Sequence, residues 1–179
     1  QCDDSWWEDS VGGYVRDYLL GIASFDVDIA TNALPKDIHR IFNSSKSNYG
    51  SVNIKFDNYN IDITTFRKDL NYINRRPSNV LYIDNLEEDL KRRDFTINAI
   101  CMNKDEKIID PLNGCEDLNN RTIKMIGDID TKLEEDPLRI MHPLALLASI
   151  GNDENSGGNY PLWFTSEENS KLVGSWALD

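Results

Sequence analysis

Two aspartates one residue apart, Asp26 and Asp28, stand in the alternating segment Phe25-Asp-Val-Asp-Ile29. In an extended strand, residues i and i+2 project from one face about 6.6 Å apart. Two carboxylates so placed reach hard divalent cations held about 3.5–4 Å apart, the separation used in two-metal phosphoryl transfer. An Asp-x-Asp pair alone also describes the solvated edge of a strand, so its surroundings decide. Gly12-Gly13 precedes a predicted helix; glycines let backbone approach a phosphate closely, and a helix N-terminus attracts anions. Arg16, one turn in, offers a fork for phosphate oxygens. Asp62, in Ile61-Asp-Ile-Thr-Thr-Phe66, is a third candidate. It either joins the metal-facing pair from a neighbouring strand or faces water on the polar side of an amphipathic one.

Other chemistries are poorly represented. The two histidines, His39 and His142, form no triad-like grouping, and there is no G-x-x-x-x-G-K-[ST] loop of a P-loop NTPase. The cysteines Cys2, Cys101 and Cys115 contain no C-x-x-C pair, which supports neither a disulfide scaffold nor a zinc ribbon.

The elements around these residues read as mixed helix and strand. After the glycine turn, Val15, Leu19 and Leu20 recur at helical spacing and Gly21 supplies a stop. Phe25–Ile29 is a predicted strand. A helix opened by Pro35 carries Ile38, Ile41 and Phe42 on one face. Ser51–Phe56 and Tyr59–Phe66 alternate around Asp57-Asn58 and predict a hairpin. Arg67–Asn79 has no apolar period and several basic residues, so it is expected to be a mobile basic loop. Leu86–Cys101 is compatible with helix, Lys107–Asp110 with a short strand, and Asn113-Gly114 with a turn. This order, with sequential antiparallel strands, predicts an α+β domain.

Length and composition agree. A chain of 179 residues, 40% hydrophobic and 28% charged, has room for one packed domain. No apolar run reaches the ~18–20 residues of a membrane helix, which points to a soluble cytoplasmic protein. The net charge of −12 excludes a basic nucleic-acid coat. Residues 1–10 and 151–179 are acidic and hold all four tryptophans, Trp6, Trp7, Trp163 and Trp176. Either short windows sample unevenly or these flanks have a different, non-native origin.

The ordered motifs Gly12-Gly-Tyr-Val-Arg-Asp17, Asp26-Val-Asp28, Arg92-Arg-Asp-Phe-Thr-Ile-Asn-Ala99, Asp110-Pro-Leu-Asn-Gly114 with Asp117, and Glu135-Asp-Pro-Leu-Arg139 carry a resemblance over about Val11 to Met141. The chain resembles the bacterial-type (class II) tRNA CCA-adding enzymes and poly(A) polymerases, polymerase-β-like nucleotidyltransferases. The resemblance implies a head domain over 11–130 with a small mixed or antiparallel sheet flanked by helices, and the start of a helical neck over 131–150. It implies two Mg²⁺ ions at Asp26 and Asp28; the strand reading adds Asp62 as a candidate catalytic carboxylate. It assigns the triphosphate to Gly12, Gly13 and Arg16, the sugar and phosphates to Arg93, Asp94 and Asn98, and the base to Asp136 and Arg139. The segment 67–85 matches a flexible loop that helps switch from C to A addition. The implied reaction is attack of an RNA 3′-hydroxyl on the α-phosphate of CTP or ATP, one metal lowering the hydroxyl's pKa and the other neutralising pyrophosphate.

Departures from the family pattern accompany the match. Where the family has Arg-x-x-Arg-x-x-Arg, this chain has Arg139, His142 and Ala145, and Pro143 costs a helix about 3 kcal/mol or more. A linker-like Gly151–Gly158 stands where the family carries its tRNA-gripping helices, so binding of the tRNA 3′ end is expected to be weak. Cys2–Ser10 is expected to replace an apolar strand, and the flank tryptophans to form a self-associating patch. The alternatives to CCA addition are an inactive or truncated nucleotide-binding module and a poly(A) polymerase head.

Overall fold

The computed structural model describes residues 8–42, 50–73, 76–136, 138 and 164–165. The chain enters as β1 (Glu8–Val11), turns at Gly12 into α1 (Gly13–Leu20), and returns as β2 (Asp26–Thr31), antiparallel to β1. Gly21 ends α1 at φ 73°, its amide and that of Ile22 donating to the Tyr18 and Asp17 carbonyls. Residues with side chains rarely adopt that conformation, which is why the predicted stop falls there. Val15 is fully buried, but Leu19 and Leu20 are exposed, so the core-facing stripe of α1 is narrower than the spacing suggests.

From β2 the chain crosses through α2 (Pro35–Phe42) to the hairpin of β3 (Ser51–Phe56) and β4 (Tyr59–Thr65). β4 pairs with β2 in parallel, which makes the sheet the mixed one of the two expected and brings two chain segments into one register. Ile38 anchors α2 against Val52 and Ile63, while Ile41 and Phe42 stay exposed. Farther on, β7 (Cys101–Asn103) pairs with β1 and β8 (Ile108–Ile109) with β7, completing a six-stranded sheet in the order β3-β4-β2-β1-β7-β8.

Of the segment Cys2–Ser10, expected to replace an apolar strand, the described residues from Glu8 on do form a strand, but a polar one. Glu8-Asp-Ser-Val11 lacks apolar alternation, yet it is hydrogen-bonded on both sides and the ladder determines its conformation. The cost appears at Asp9, which is 3% exposed and whose Oδ2 has no hydrogen-bond partner among the described residues. Burial pushes its carboxyl pKa up.

Arg67–Asn79 is also not a loop. β5 (Arg67–Ile73) and β6 (Arg76–Tyr82) form a two-stranded hairpin outside the main sheet. Neither strand has a buried face, so no apolar period announces it. A lone hairpin is marginal in water, and this one is rooted by buried Phe66, whose amide donates to the Thr31 carbonyl at 2.7 Å and whose carbonyl accepts from Ile83.

The helix-compatible run Leu86–Cys101 divides into α3 (Leu86–Lys91), a single 3-10 turn at Thr96–Asn98 and the start of β7. Asn85 caps α3 by accepting the Glu88 amide. Asn113-Gly114 is the entry to α4 (Gly114–Asn119) rather than a simple turn, and both Asp110 oxygens accept amides there, from Gly114 and Cys115. β9 (Thr122–Ile123) and α5 (Ile129–Glu135) follow, and β10 (Phe164–Thr165) pairs in parallel with β9. No helix among the described residues is long and apolar enough to cross a membrane.

Strand alternation assigns the two faces of the sheet. Ile29, Ile61 and Ile63 point to the α2 side, whereas Ala30 joins Val11, Phe66, Leu90 and Cys101 in the opposite core. A third cluster beneath α1 contains Val15, Phe95, Ile97, Ile100 and Met125. Each fully buried side chain of this size contributes about 1.5–3 kcal/mol. The face that buries Ala30 also carries Asp26 and Asp28, and burial falls from Ala30 towards Asp26. The acids therefore emerge from the core towards the exposed end of β2.

Candidate active site

The parallel ladder places Asp62 opposite Asp28 and Asn60 opposite Asp26, all four side chains on one face. Asp62 therefore shares a face with Asp26 and Asp28. Asn60 Nδ2 donates to Asp26 Oδ1 at 2.8 Å, and Asn53 Nδ2 to Asp62 Oδ1 at 3.2 Å. Burial raises the Asp28 pKa; the Arg93 guanidinium opposes that shift, and Asp62 and Asp26 add to it. Asp28 is thus a carboxylate among carboxylates, where an added cation is stabilised.

Among the described residues, no three His, Cys, Asp or Glu side chains gather closely enough to hold an ion alone. The donor set still fits Mg²⁺, which keeps bound water and is commonly held by one or two carboxylates together with substrate phosphates.

Gly12 closes the site from the other side. Its φ is +76°, and a Cβ there would lie 3.0 Å from Asp28 Oδ2 and 3.2 Å from Arg93 Nη1. Only a glycine lets the backbone come this near both groups without a clash. One residue on, a Cβ on Gly13 would meet the Arg16 guanidinium at 3.5 Å, an ordinary contact. Arg16, 7% exposed, donates from Nη1 to Asn98 Oδ1 at 2.7 Å and from Nε to Asp17 Oδ1 at 2.8 Å. The glycine turn and the Arg92–Asn98 segment are thereby joined, although 82 residues separate Arg16 from Asn98.

Asp89 organises the arginine pair. It is 1% exposed; its Oδ1 accepts Arg92 Nε at 2.8 Å and the Arg67 amide at 2.9 Å, and Arg93 Nη2 lies 3.8 Å from Oδ2. Burial pulls the Arg93 pKa down, and the nearby Asp89 and Asp28 carboxylates oppose that shift. Downstream, Thr96 Oγ1 donates to Asp117 Oδ2 at 2.6 Å, and the Asp94 carbonyl accepts the Ile126 amide. A Cβ on Gly114 would lie 2.3 Å from the Thr96 carbonyl oxygen, so that glycine is what lets α4 pack against the 3-10 turn. The Asp110–Asp117 motif acts here as bracing for Arg92–Asn98.

Arg92, Arg93, Asp94 and Asn98 line a cleft of about 370 Å³, with Asp69, Tyr72 and Pro77 of the hairpin as the opposite wall. The hairpin residues and Asp89 are absent from the sequence-based site. For Asp89 a signal existed: it precedes Arg92 and Arg93 by three and four residues, the spacing of neighbours on a helix.

Asp136 stands apart from this wall. It follows α5 directly, its amide donating to the Lys132 carbonyl and its Oδ1 accepting the Leu138 amide at 3.1 Å. Among the described residues it does not line the cleft. Arg139, the neck residues His142, Pro143 and Ala145, and the flank tryptophans lie outside the described residues.

Neither described cysteine is poised as a nucleophile. Burial pushes the Cys101 thiol up to about 12, and burial together with Asp110 pushes Cys115 up to about 11.

With this geometry in place, the comparisons are specific. The family model for the Poly A polymerase head domain matches residues 10–124. A CCA-adding enzyme of Staphylococcus aureus (strain MRSA252) is 40% identical over 147 residues, 80% of this chain and 37% of its own length. The chain thus spans little more than a third of the curated relatives it matches. The crystal structure of the Bacillus stearothermophilus CCA-adding enzyme in complex with CTP superposes with a TM-score of 0.76 at 34% identity, covering 97% of this chain and 40% of that one. A tRNA nucleotidyltransferase complexed with a primer tRNA and an incoming ATP analog gives 0.69 at 26% identity, over 95% of this chain and 46% of that one.

Proposed function

For a chain that belongs to the Poly A polymerase head domain family, we propose template-independent nucleotidyl transfer: addition of CMP and AMP from CTP and ATP to the 3′ end of tRNA. The observation that carries this reading is the close approach of Gly12 to both Asp28 and Arg93, where a Cβ would lie 3.0 and 3.2 Å from their side chains, beside Asp62. A triphosphate laid on that backbone meets an arginine on one side and carboxylates on the other. The similar enzymes solved with CTP and with an ATP analog and primer tRNA support the same substrates.

In this reading Gly12, Gly13 and Arg16 hold the triphosphate, and Arg93, Asp94 and Asn98 its sugar and phosphates. Asp136 and Arg139 recognise the base; an Asp acceptor and an Arg fork suit the Watson–Crick edges of cytosine and adenine. The 3′-hydroxyl oxygen forms a bond to the α-phosphorus, the bond to the β-phosphate oxygen breaks, and pyrophosphate leaves. Asp26, Asp28 and Asp62 would hold two Mg²⁺ ions together with the substrate phosphates, and the ions would lower the hydroxyl's pKa and neutralise charge. Fixing the reactants in line provides much of the rate enhancement. The reading includes a head over 11–130 and a neck beginning at 131, and α5 straddles that boundary. It also carries a cytoplasmic location.

Incubating the protein with labelled tRNA lacking CCA, Mg²⁺ and CTP or ATP tests the proposal. Slow extension is expected, and none above the Asp26→Ala, Asp28→Ala double variant contradicts it. A binding-only module is favoured by one specific feature, His142 and Ala145 at the family's arginine positions. CTP and ATP binding by calorimetry without turnover supports that second reading, and repeated A addition to any RNA end identifies a poly(A) polymerase.

A further inference from the structure

α5 is attached to the domain by two kinds of contact. Ile129 and Leu133, one turn apart, pack against the cluster beneath α1. Lys132 beside them is only 9% exposed. A buried ammonium persists only where its hydrogen bonds are satisfied. Lys132 Nζ donates to two consecutive main-chain carbonyls about forty residues away in sequence: Arg92 O at 3.2 Å and Arg93 O at 2.5 Å. These carbonyls lie where α3 ends, and carbonyls at a helix C-terminus attract a cation.

The same two residues present their side chains to Asp89, and Arg93 extends towards Gly12. At its other end, Lys132 accepts the Asp136 amide on its own carbonyl at 3.1 Å. One lysine therefore contacts the arginine turn through its side chain and Asp136, the residue assigned to the base, through its main chain. The phosphate and base positions belong to different segments, and this is a direct link between them.

We propose that Lys132 is a positioning residue for nucleotide selection: it fixes the spacing between Arg93 and Asp136, so that only a base of the right edge chemistry reaches Asp136 while its triphosphate occupies the glycine turn. The proposal rests on the assignment of base recognition to Asp136. Without the ammonium, α5 keeps its apolar contacts through Ile129 and Leu133 but loses its register against the arginine turn. Selection then declines more than triphosphate affinity does.

The test is calorimetric titration of the full 179-residue chain with CTP and with UTP in Mg²⁺, for wild type, Lys132→Met, Lys132→Arg and Asp136→Ala, each checked for cooperative melting. Wild type is expected to prefer CTP, and Asp136→Ala to lose that preference. Lys132→Met is expected to reduce the preference about tenfold while UTP affinity changes less than about threefold, a difference corresponding to one lost charged hydrogen-bonding group. Lys132→Arg, which keeps charge and donors, is expected to restore most of it. If Lys132→Met does not melt cooperatively, Lys132→Gln is read the same way. A preference within about twofold of wild type in the neutral variant, with Asp136→Ala defective, overturns the Lys132 proposal alone. A preference unchanged by Asp136→Ala, or no triphosphate binding by wild type, overturns the assignment beneath it.

Discussion

Asp28 and Asp62 stand directly opposite each other on parallel neighbouring strands, β2 and β4, with no residue of register between them. Two carboxylates at that spacing repel; burial raises the Asp28 pKa and Asp62 adds to the rise. Proteins keep such pairs where a cation or a shared proton offsets the repulsion. Gly12 stands close to both the Asp28 carboxylate and the guanidinium of Arg93, a Cβ there falling 3.0 and 3.2 Å from them. The cost of assembling these charges is intelligible if a triphosphate and its counterions complete the site.

Gly12→Ala tests how closely the backbone must approach. The substitution places a Cβ at positive φ, 3.0 Å from Asp28 Oδ2. A stability loss of about 1–2 kcal/mol is expected in urea titration. CTP affinity is expected to fall at least tenfold by calorimetry, because both contacted groups must move.

Asp89 tests the anchoring of the arginines. Asp89→Ala leaves Arg92 and Arg93 without their buried counter-ion and is expected to cost about 3–5 kcal/mol in equilibrium unfolding. The Arg67 amide, which Asp89 Oδ1 now accepts, is expected to exchange faster with deuterium as the hairpin root loosens. An unchanged exchange rate at Arg67 contradicts that role.

Asp9 tests the polar strand. A carboxyl whose pKa is raised in the folded state holds its proton more tightly when folded. Its contribution is therefore fully present below its unfolded value of 3.8 and is lost as pH rises through the folded value. Asp9→Val is expected to stabilise the protein by about 1–3 kcal/mol at pH 7 and by less near pH 3. Urea midpoints measured at both pH values check the sign.

The thiols are expected to be inert. With Cys101 at about 12 and Cys115 at about 11, alkylation of either at pH 8 is expected to be far slower than in urea, as read by peptide mass mapping. Cys115→Ala is expected to leave primer extension within about threefold of wild type.

Much of this site was legible because its signals are local. Gly12-Gly13, Arg16 and the Asp26-x-Asp28 alternation declare their elements by spacing, and the stop at Gly21 and the start at Pro35 fall where backbone chemistry requires. The resemblance supplied Arg93, Asp94 and Asn98 as a group. What stayed hidden depends on tertiary context. The β5–β6 hairpin buries neither face, so its sequence has no period to read. β1 is polar, and neighbouring ladders rather than propensity make it a strand. Lys132 gives no sign of its role, because its partners are main-chain carbonyls brought near by folding.

Single-turnover extension of tRNA lacking CCA with α-labelled CTP and Mg²⁺ tests the central claim most directly, comparing wild type with Asp28→Asn and Asp62→Asn. If the facing acids hold the counterions of the triphosphate, each substitution lowers the rate by about a hundredfold or more while the fold still melts cooperatively. Extension by Asp28→Asn within about threefold of wild type contradicts the account.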